Sequence, residues 1–182
     1  MTGYGRQPKS SPVQHPYAGA KLMIGKRYQS RIPRMSELQA TPPAPEAPLA
    51  GACHCGRLRY RLAGKPKAVN CCHCRDCQRL SGSAFAVNAV YSTPAVELLG
   101  TGWTERDLVT DPAGGRSWRC ADCGVVLFSE HCAFGDAMRF VRVGTLEGGE
   151  RLSPDTHYFV RSKHPWVVIP DGVQAWDTLP PR

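Results

Sequence analysis

A chain of 182 residues, 42% of them hydrophobic, has room for one domain with a sizeable core plus a tail. No stretch approaches the ~18 apolar residues that span a membrane, and the first apolar run, Leu22-Met23-Ile24, is broken at once by Gly25-Lys26-Arg27, so a cytoplasmic protein without a secretory signal is expected. The net charge of +8 is uneven, with seven Lys/Arg against two Glu in residues 1–50 and sixteen against thirteen acidic residues in the rest, which removes the basis for a nucleic-acid reading from charge alone.

Residues 1–48 hold eight of the sixteen prolines and no sustained apolar period, and Thr41-Pro42-Pro43-Ala44-Pro45 has the composition of an extended polyproline-like linker. This segment reads as a disordered basic extension. Its first 36 residues contain no acid, as in a transit peptide, but Pro and Gly interrupt any long amphipathic helix. Met35 is a second candidate start. The folded domain is expected over residues 49–182.

From Gly51 onward the pattern is that of short strands and turns. Arg57-Leu58-Arg59-Tyr60-Arg61-Leu62 alternates throughout, which predicts a half-buried strand with its arginines outward. Phe85, Val87, Ala89 and Tyr91 repeat at period two. Further strands are predicted at Val96–Leu99, Glu105–Thr110, Ser117–Arg119, Val125–Ser129, Met138–Val143, Tyr158–Arg161 and Trp166–Ile169, separated by Gly, Pro and Asp. The one predicted helix is a short turn over Asp76–Leu80, ended by Ser81-Gly82. An all-β domain follows.

Eight of the nine cysteines fall into three clusters: Cys53-His54-Cys55, Cys71-Cys72-His73-Cys74-Arg75-Asp76-Cys77 and Cys120-Ala121-Asp122-Cys123. Paired spacings in a chain with an odd cysteine count favour metal-bound thiolates over disulfides. Cys53, Cys55, Cys120 and Cys123 make one closed four-sulfur set, suited to a structural zinc, and Gly56 and Gly124 let the backbone turn after each pair. Cys72, Cys74 and Cys77 supply three thiolates, and three protein ligands with an open position is the arrangement of catalytic zinc. The alternative is a second closed site completed by His73, Cys71, His131 or Cys132.

Other residues have plainer readings. His73 and His54 stand between cysteines and should point away from their metals, and Cys71 reads as a spare buried thiol. Asp76 is a proton carrier or, more simply, a helix cap. Arg75 and Arg79 flank the three-cysteine run and are candidates to hold a substrate carboxylate. Trp103, Trp118 and Trp166 are core or pocket walls. Arg57, Arg59 and Arg61 form a solvated strand face rather than a phosphate track.

The ordered motifs Gly51-x-Cys53-x-Cys55-Gly56-x-Leu58-x-Tyr60, Cys72-His73-Cys74-x-x-Cys77-Gln78-Arg79-x-Ser81-Gly82 and Cys120-x-x-Cys123-Gly124 resemble the glutathione-dependent formaldehyde-activating enzyme family, which includes centromere protein V. Gly144-Thr145-Leu146-Glu147 and Ser162-Lys163-His164-Pro165-Trp166 look like its closing motifs. One departure is Arg119, where the family usually has an aromatic directly before the last cysteine pair. The resemblance covers roughly residues 49–175. It implies a β-tent fold, a structural zinc on Cys53, Cys55, Cys120 and Cys123, and a second zinc on Cys72, Cys74 and Cys77 where thiol–aldehyde chemistry occurs. The expected function is thus that of a carbon–sulfur lyase with two zinc ions per chain and glutathione as co-substrate, acting on adducts such as S-(hydroxymethyl)glutathione. A rival is a zinc-pinned module that binds protein or nucleic acid through its basic surface and tail. A third is a thiol redox or metal-storage protein, motivated by Cys71 and Cys132.

Overall fold

The computed structural model describes residues 48–108 and 114–180, so the proline-rich extension lies outside the described residues. The described chain is all-β apart from short helical turns. A three-stranded antiparallel sheet joins β1 (Leu49–Ala52), β2 (Arg59–Leu62) and β5 (Val96–Leu99) in the order β1-β2-β5. A larger sheet holds β3 (Ala68–Cys72), β4 (Ala86–Ser92), β6 (Trp103–Asp107), β7 (Gly115–Cys120), β8 (Val126–His131), β9 (Met138–Arg142), β10 (Thr156–Tyr158) and β11 (Gln174–Trp176). Its order is β11-β10-β3-β4-β9-β8-β7-β6, with β10 parallel to both β11 and β3 and the other pairs antiparallel.

Because side chains alternate along a strand, register sorts the larger sheet's central residues into two faces. Val69, Ala89, Val141 and Phe128 lie opposite one another across β3, β4, β9 and β8. They share one core with Leu58, Tyr60, Leu62 and Val96 of the smaller sheet's side. The intervening residues Asn70, Asn88, Arg142, Phe140 and Ser129 form the other face and line a cavity. At Gly51 the smaller sheet is drawn in closely: a Cβ there would run into the Tyr60 ring and hydroxyl and lie 2.6 Å from the Thr145 carbonyl oxygen. The Tyr60 hydroxyl is bonded to Thr145 Oγ1 at 2.6 Å, so the glycine makes room for this contact.

The helix α1 (Arg75–Ser81) forms where the sequence predicts it and stops at Gly82, whose φ of 60° is the left-handed cap that glycine favours. The alternating run forms β2 with Arg59 and Arg61 outward, and Arg61 and Arg57 pair with Glu97 and Asp122. Trp103 and Trp118 pack around Phe128, as core walls do. The strand expected at Glu105–Thr110 begins at Trp103, and residues 109 and 110 lie outside the described residues.

Two expectations are corrected. Trp166–Ile169 is not a strand, and Trp166 is 72% exposed, stacked on His164 rather than buried. The reason is local: prolines at 165 and 170 bracket the run, Val167 N closes a turn onto the His164 carbonyl, and Lys163 Nζ donates to the Val167 carbonyl at 2.7 Å. Tyr158–Arg161 is shifted, with β10 ending at Tyr158 and a 3-10 turn following at Val160–Ser162.

Candidate metal centres and pocket

The four-cysteine set assembles from two tight turns. Cys53 and Cys55 lie between β1 and β2, while Cys120 ends β7 and Cys123 lies in the turn to β8. Gly56 (φ 75°) and Gly124 (φ 72°) carry the backbone out of each turn, their amides donating to the Cys53 and Cys120 carbonyls at 3.0 Å. The four sulfurs lie within 4.8 Å of one another, with Cys55 Sγ 3.7 Å from Cys120 Sγ across 65 residues of sequence. Arg57 and Asp122 form an ion pair between the same two turns. Burial pushes the Cys53 thiol up, but the Leu58 amide, 3.3 Å from its sulfur, and hydrogen bonds with Cys55 and Cys120 bring it down. The Val125 and Cys55 amides hold Cys123 down at about 6. Four sulfurs from both sheets, supplied with amide donors, fit a tetrahedral thiolate-bound ion.

The three-cysteine set is local. Cys72 ends β3, Cys74 caps α1 and accepts from the Cys77 amide at 3.4 Å, and Cys77 follows one turn later. The three sulfurs fall within 4.8 Å of one another, and among the described residues no fourth Cys, His or carboxylate joins them. Hydrogen bonds from Cys72 and Cys77 hold Cys74 down at about 2, while the same contacts with Cys74 and Cys77, and then burial, push Cys72 far up. Cys72 favours ionisation of Cys77, yet Cys74 and burial leave it raised to about 11. Without a cation the three thiols thus oppose one another's ionisation. A divalent ion removes that repulsion, so the donor set fits a soft metal.

These sulfurs open onto the outer face of the larger sheet. The cavity there is walled by Leu80, Phe134, Phe140 and Phe159, with Asn70, Asn88 and Arg142 among the sheet residues beneath. Gln78 holds the helix in place over it, donating to the carbonyls of His73 at 2.8 Å and Ser162 at 3.0 Å. Asp76 and His131 line the cavity, whereas Arg75 and Arg79 are not among its lining residues; Arg75 donates to Gln78 Oε1 at 2.6 Å. Cys132 is exposed outside it.

His73 and Cys71 point away from the trio, to the opposite side of β3. There they meet His157, which is in register with Cys71. His73 Nε2 lies 2.9 Å from His157 Nδ1 and 3.6 Å from Cys71 Sγ, and all three side chains are buried. Burial, assisted by His157 and Lys163, holds the His73 imidazole down at about 4, and burial pushes the Cys71 thiol up to about 12. His157, Asn70, Asn88 and Arg142 were not singled out by the sequence. Their positions depend on strand register, and no spacing motif records it.

The chain belongs to the glutathione-dependent formaldehyde-activating enzyme family, whose sequence profile matches residues 48–162. A curated relative from Sordaria macrospora, provisionally named a glutathione-dependent formaldehyde-activating enzyme, is 26% identical over 96 residues, covering 50% of this chain and 40% of the relative. The chain thus spans less than half the length of that relative. A solved Rhodobacter sphaeroides protein is similar at 22% identity with a TM-score of 0.44, covering 54% of this chain and 88% of that one.

Proposed function

We propose that the three-cysteine cavity is the working site of a zinc-dependent carbon–sulfur lyase that joins a thiol to a small aldehyde and releases it again. Glutathione and formaldehyde are the reference pair, following the family. The observation that carries this reading is the convergence of Cys72, Cys74 and Cys77 on one point beside a walled cavity, with no fourth protein ligand among the described residues. The other four cysteines close a set between the sheets and serve structure.

Cys72, Cys74 and Cys77 would hold the zinc, which when bound supplies a cation that lowers the pKa of a substrate thiol. In the forward direction a sulfur–carbon bond forms, the aldehyde π bond opens, and the thiol proton ends on the former carbonyl oxygen. Phe134, Phe140 and Phe159 would shield the reacting carbon from water, and holding both reactants in one cavity provides the orientation gain. Tyr158 lines the same cavity, opposite Cys72 in register. Burial raises its phenol, so it stays protonated at neutral pH and would donate to the new hydroxyl oxygen.

Exchange NMR at equilibrium tests the reading. The zinc-loaded protein should speed interconversion of free glutathione plus formaldehyde with their hydroxymethyl adduct, and Cys74→Ser should return the rate to that of buffer. Equal rates for wild type, variant and buffer would remove the formaldehyde assignment.

A further inference from the structure

Arg142 and Arg139 stand three residues apart on β9 in opposite electrostatic circumstances. Arg139 meets the Glu130 carboxylate at 3.5 Å. Arg142 is 7% exposed, and no carboxylate among the described residues lies within ion-pairing distance of its guanidinium. A guanidinium cannot shed its proton, so burying one without an ion-paired carboxylate is costly. The thiolates of Cys72, Cys74 and Cys77 share the cavity and offset that charge in part, and a ligand's anion would meet it directly.

The polar partners of Arg142 are set by register. Asn70 on β3, Asn88 on β4 and Arg142 on β9 lie directly opposite one another in a row across three adjacent strands. Arg142 donates to Asn88 Oδ1, and Asn88 Nδ2 donates to Asn70 Oδ1 at 3.0 Å. Because arginine can only donate, this order is forced, and it leaves the Asn70 amide nitrogen at the end of the row. That nitrogen is buried without a hydrogen-bond partner. The row therefore ends in a buried, unpartnered donor on Asn70, and all three residues line the cavity into which Cys72, Cys74 and Cys77 open. Phe and Leu side chains make up much of the remaining wall, and among the described lining residues the guanidinium is the one fixed cation and Asp76 the one acid.

We propose that Arg142, held by Asn88 and Asn70, is the residue that anchors the carboxylate of the thiol ligand. The proposal rests on the reading of the three cysteines as a thiol site. One molecule would then span the cavity, its sulfur at the cysteines and its carboxylate on the guanidinium. Such a charge-assisted, desolvated contact also explains how an apolar cavity would discriminate among thiols of similar size.

Calorimetric titration of the zinc-loaded protein with 3-mercaptopropionate, propane-1-thiol and propionate separates the possibilities. In wild type, 3-mercaptopropionate should bind at least about tenfold tighter than propane-1-thiol. Arg142→Gln should shrink that gap to about threefold or less with zinc content unchanged, Arg142→Lys should keep part of it, and Asn70→Ala should narrow it less. If the guanidinium only offsets the charge of the thiolates, both thiols would weaken together in Arg142→Gln and the gap would persist, which overturns the proposal. Equal affinity for the two thiols in wild type overturns it without any variant, while leaving the thiol site standing. Conversely, propionate binding that depends on Arg142, with neither thiol seen at the cysteines, would keep the anchor and remove the lyase reading.

Discussion

The two cysteine sets use the same ligand chemistry but stand in different relations to the fold. The four-cysteine set draws on two turns about 65 residues apart and links the edge of one sheet to the other, with Cys53 and Cys120 inside the hydrophobic core. The three-cysteine set comes from six consecutive positions at one strand end and one helix start, and faces a cavity on the far side of the larger sheet from that core. Closing a long loop constrains the chain as a whole, whereas closing a short one constrains only a turn that already has its own hydrogen bonds. The difference teaches that ligand count alone does not separate a structural site from a working one. What separates them is how much of the fold depends on the closure.

The largest effect expected from this contrast is on folding. Structural zinc contributes roughly 10–16 kcal/mol in small modules, which is comparable to the whole stability of a domain. Cys55→Ser or Cys120→Ser should therefore unfold the domain, while Cys74→Ser should melt close to wild type. Thermal melts that coincide for all three variants would erase the distinction.

A smaller effect sharpens the contrast between the two sides of β3. The folded His73 sits near 4 against an ordinary value of 6.5, so the folded state resists its protonation. Its contribution is whole above pH 6.5 and is lost as pH falls from 6.5 towards 4, amounting to about 2 kcal/mol by pH 5. Urea unfolding at pH 7 and pH 5 should show wild type losing about that much more than His73→Gln. Parallel losses would mean that the buried imidazole is not the group responsible.

The smallest effect concerns the extension. Deleting residues 1–48 should leave zinc content and melting nearly unchanged, because that segment offers no periodic apolar face to bury. Aggregation or zinc loss in the shortened protein would make the extension part of the domain.

What could be read in the sequence was whatever local spacing records. The cysteine pairs, the glycines after them, the alternation of Arg57–Leu62 and the short helix before Gly82 all follow from neighbours within a few residues. β3 is not written in the sequence, because Val69, Asn70, Cys71 and Cys72 are all buried, on both faces of an interior strand, and no alternation marks it. The apolar run at Trp166 misled for the opposite reason: its hydrophobic residues are not all inside, and flanking prolines exclude it from a ladder. The row of Asn70, Asn88 and Arg142 was illegible because it depends on the register of three strands drawn from widely separated segments. Arg75 and Arg79 stand near the three cysteines in sequence but do not line the cavity, whose wall is built from residues near in space.

The division of labour between the two cysteine sets is tested most directly by zinc quantification on wild type and on a Cys72/Cys74/Cys77→Ser triple variant, alongside their melting curves. Wild type should hold two zinc ions per chain, and the variant one, with the fold retained. A variant that holds no zinc and does not fold, or a wild type that holds a single zinc, would contradict it.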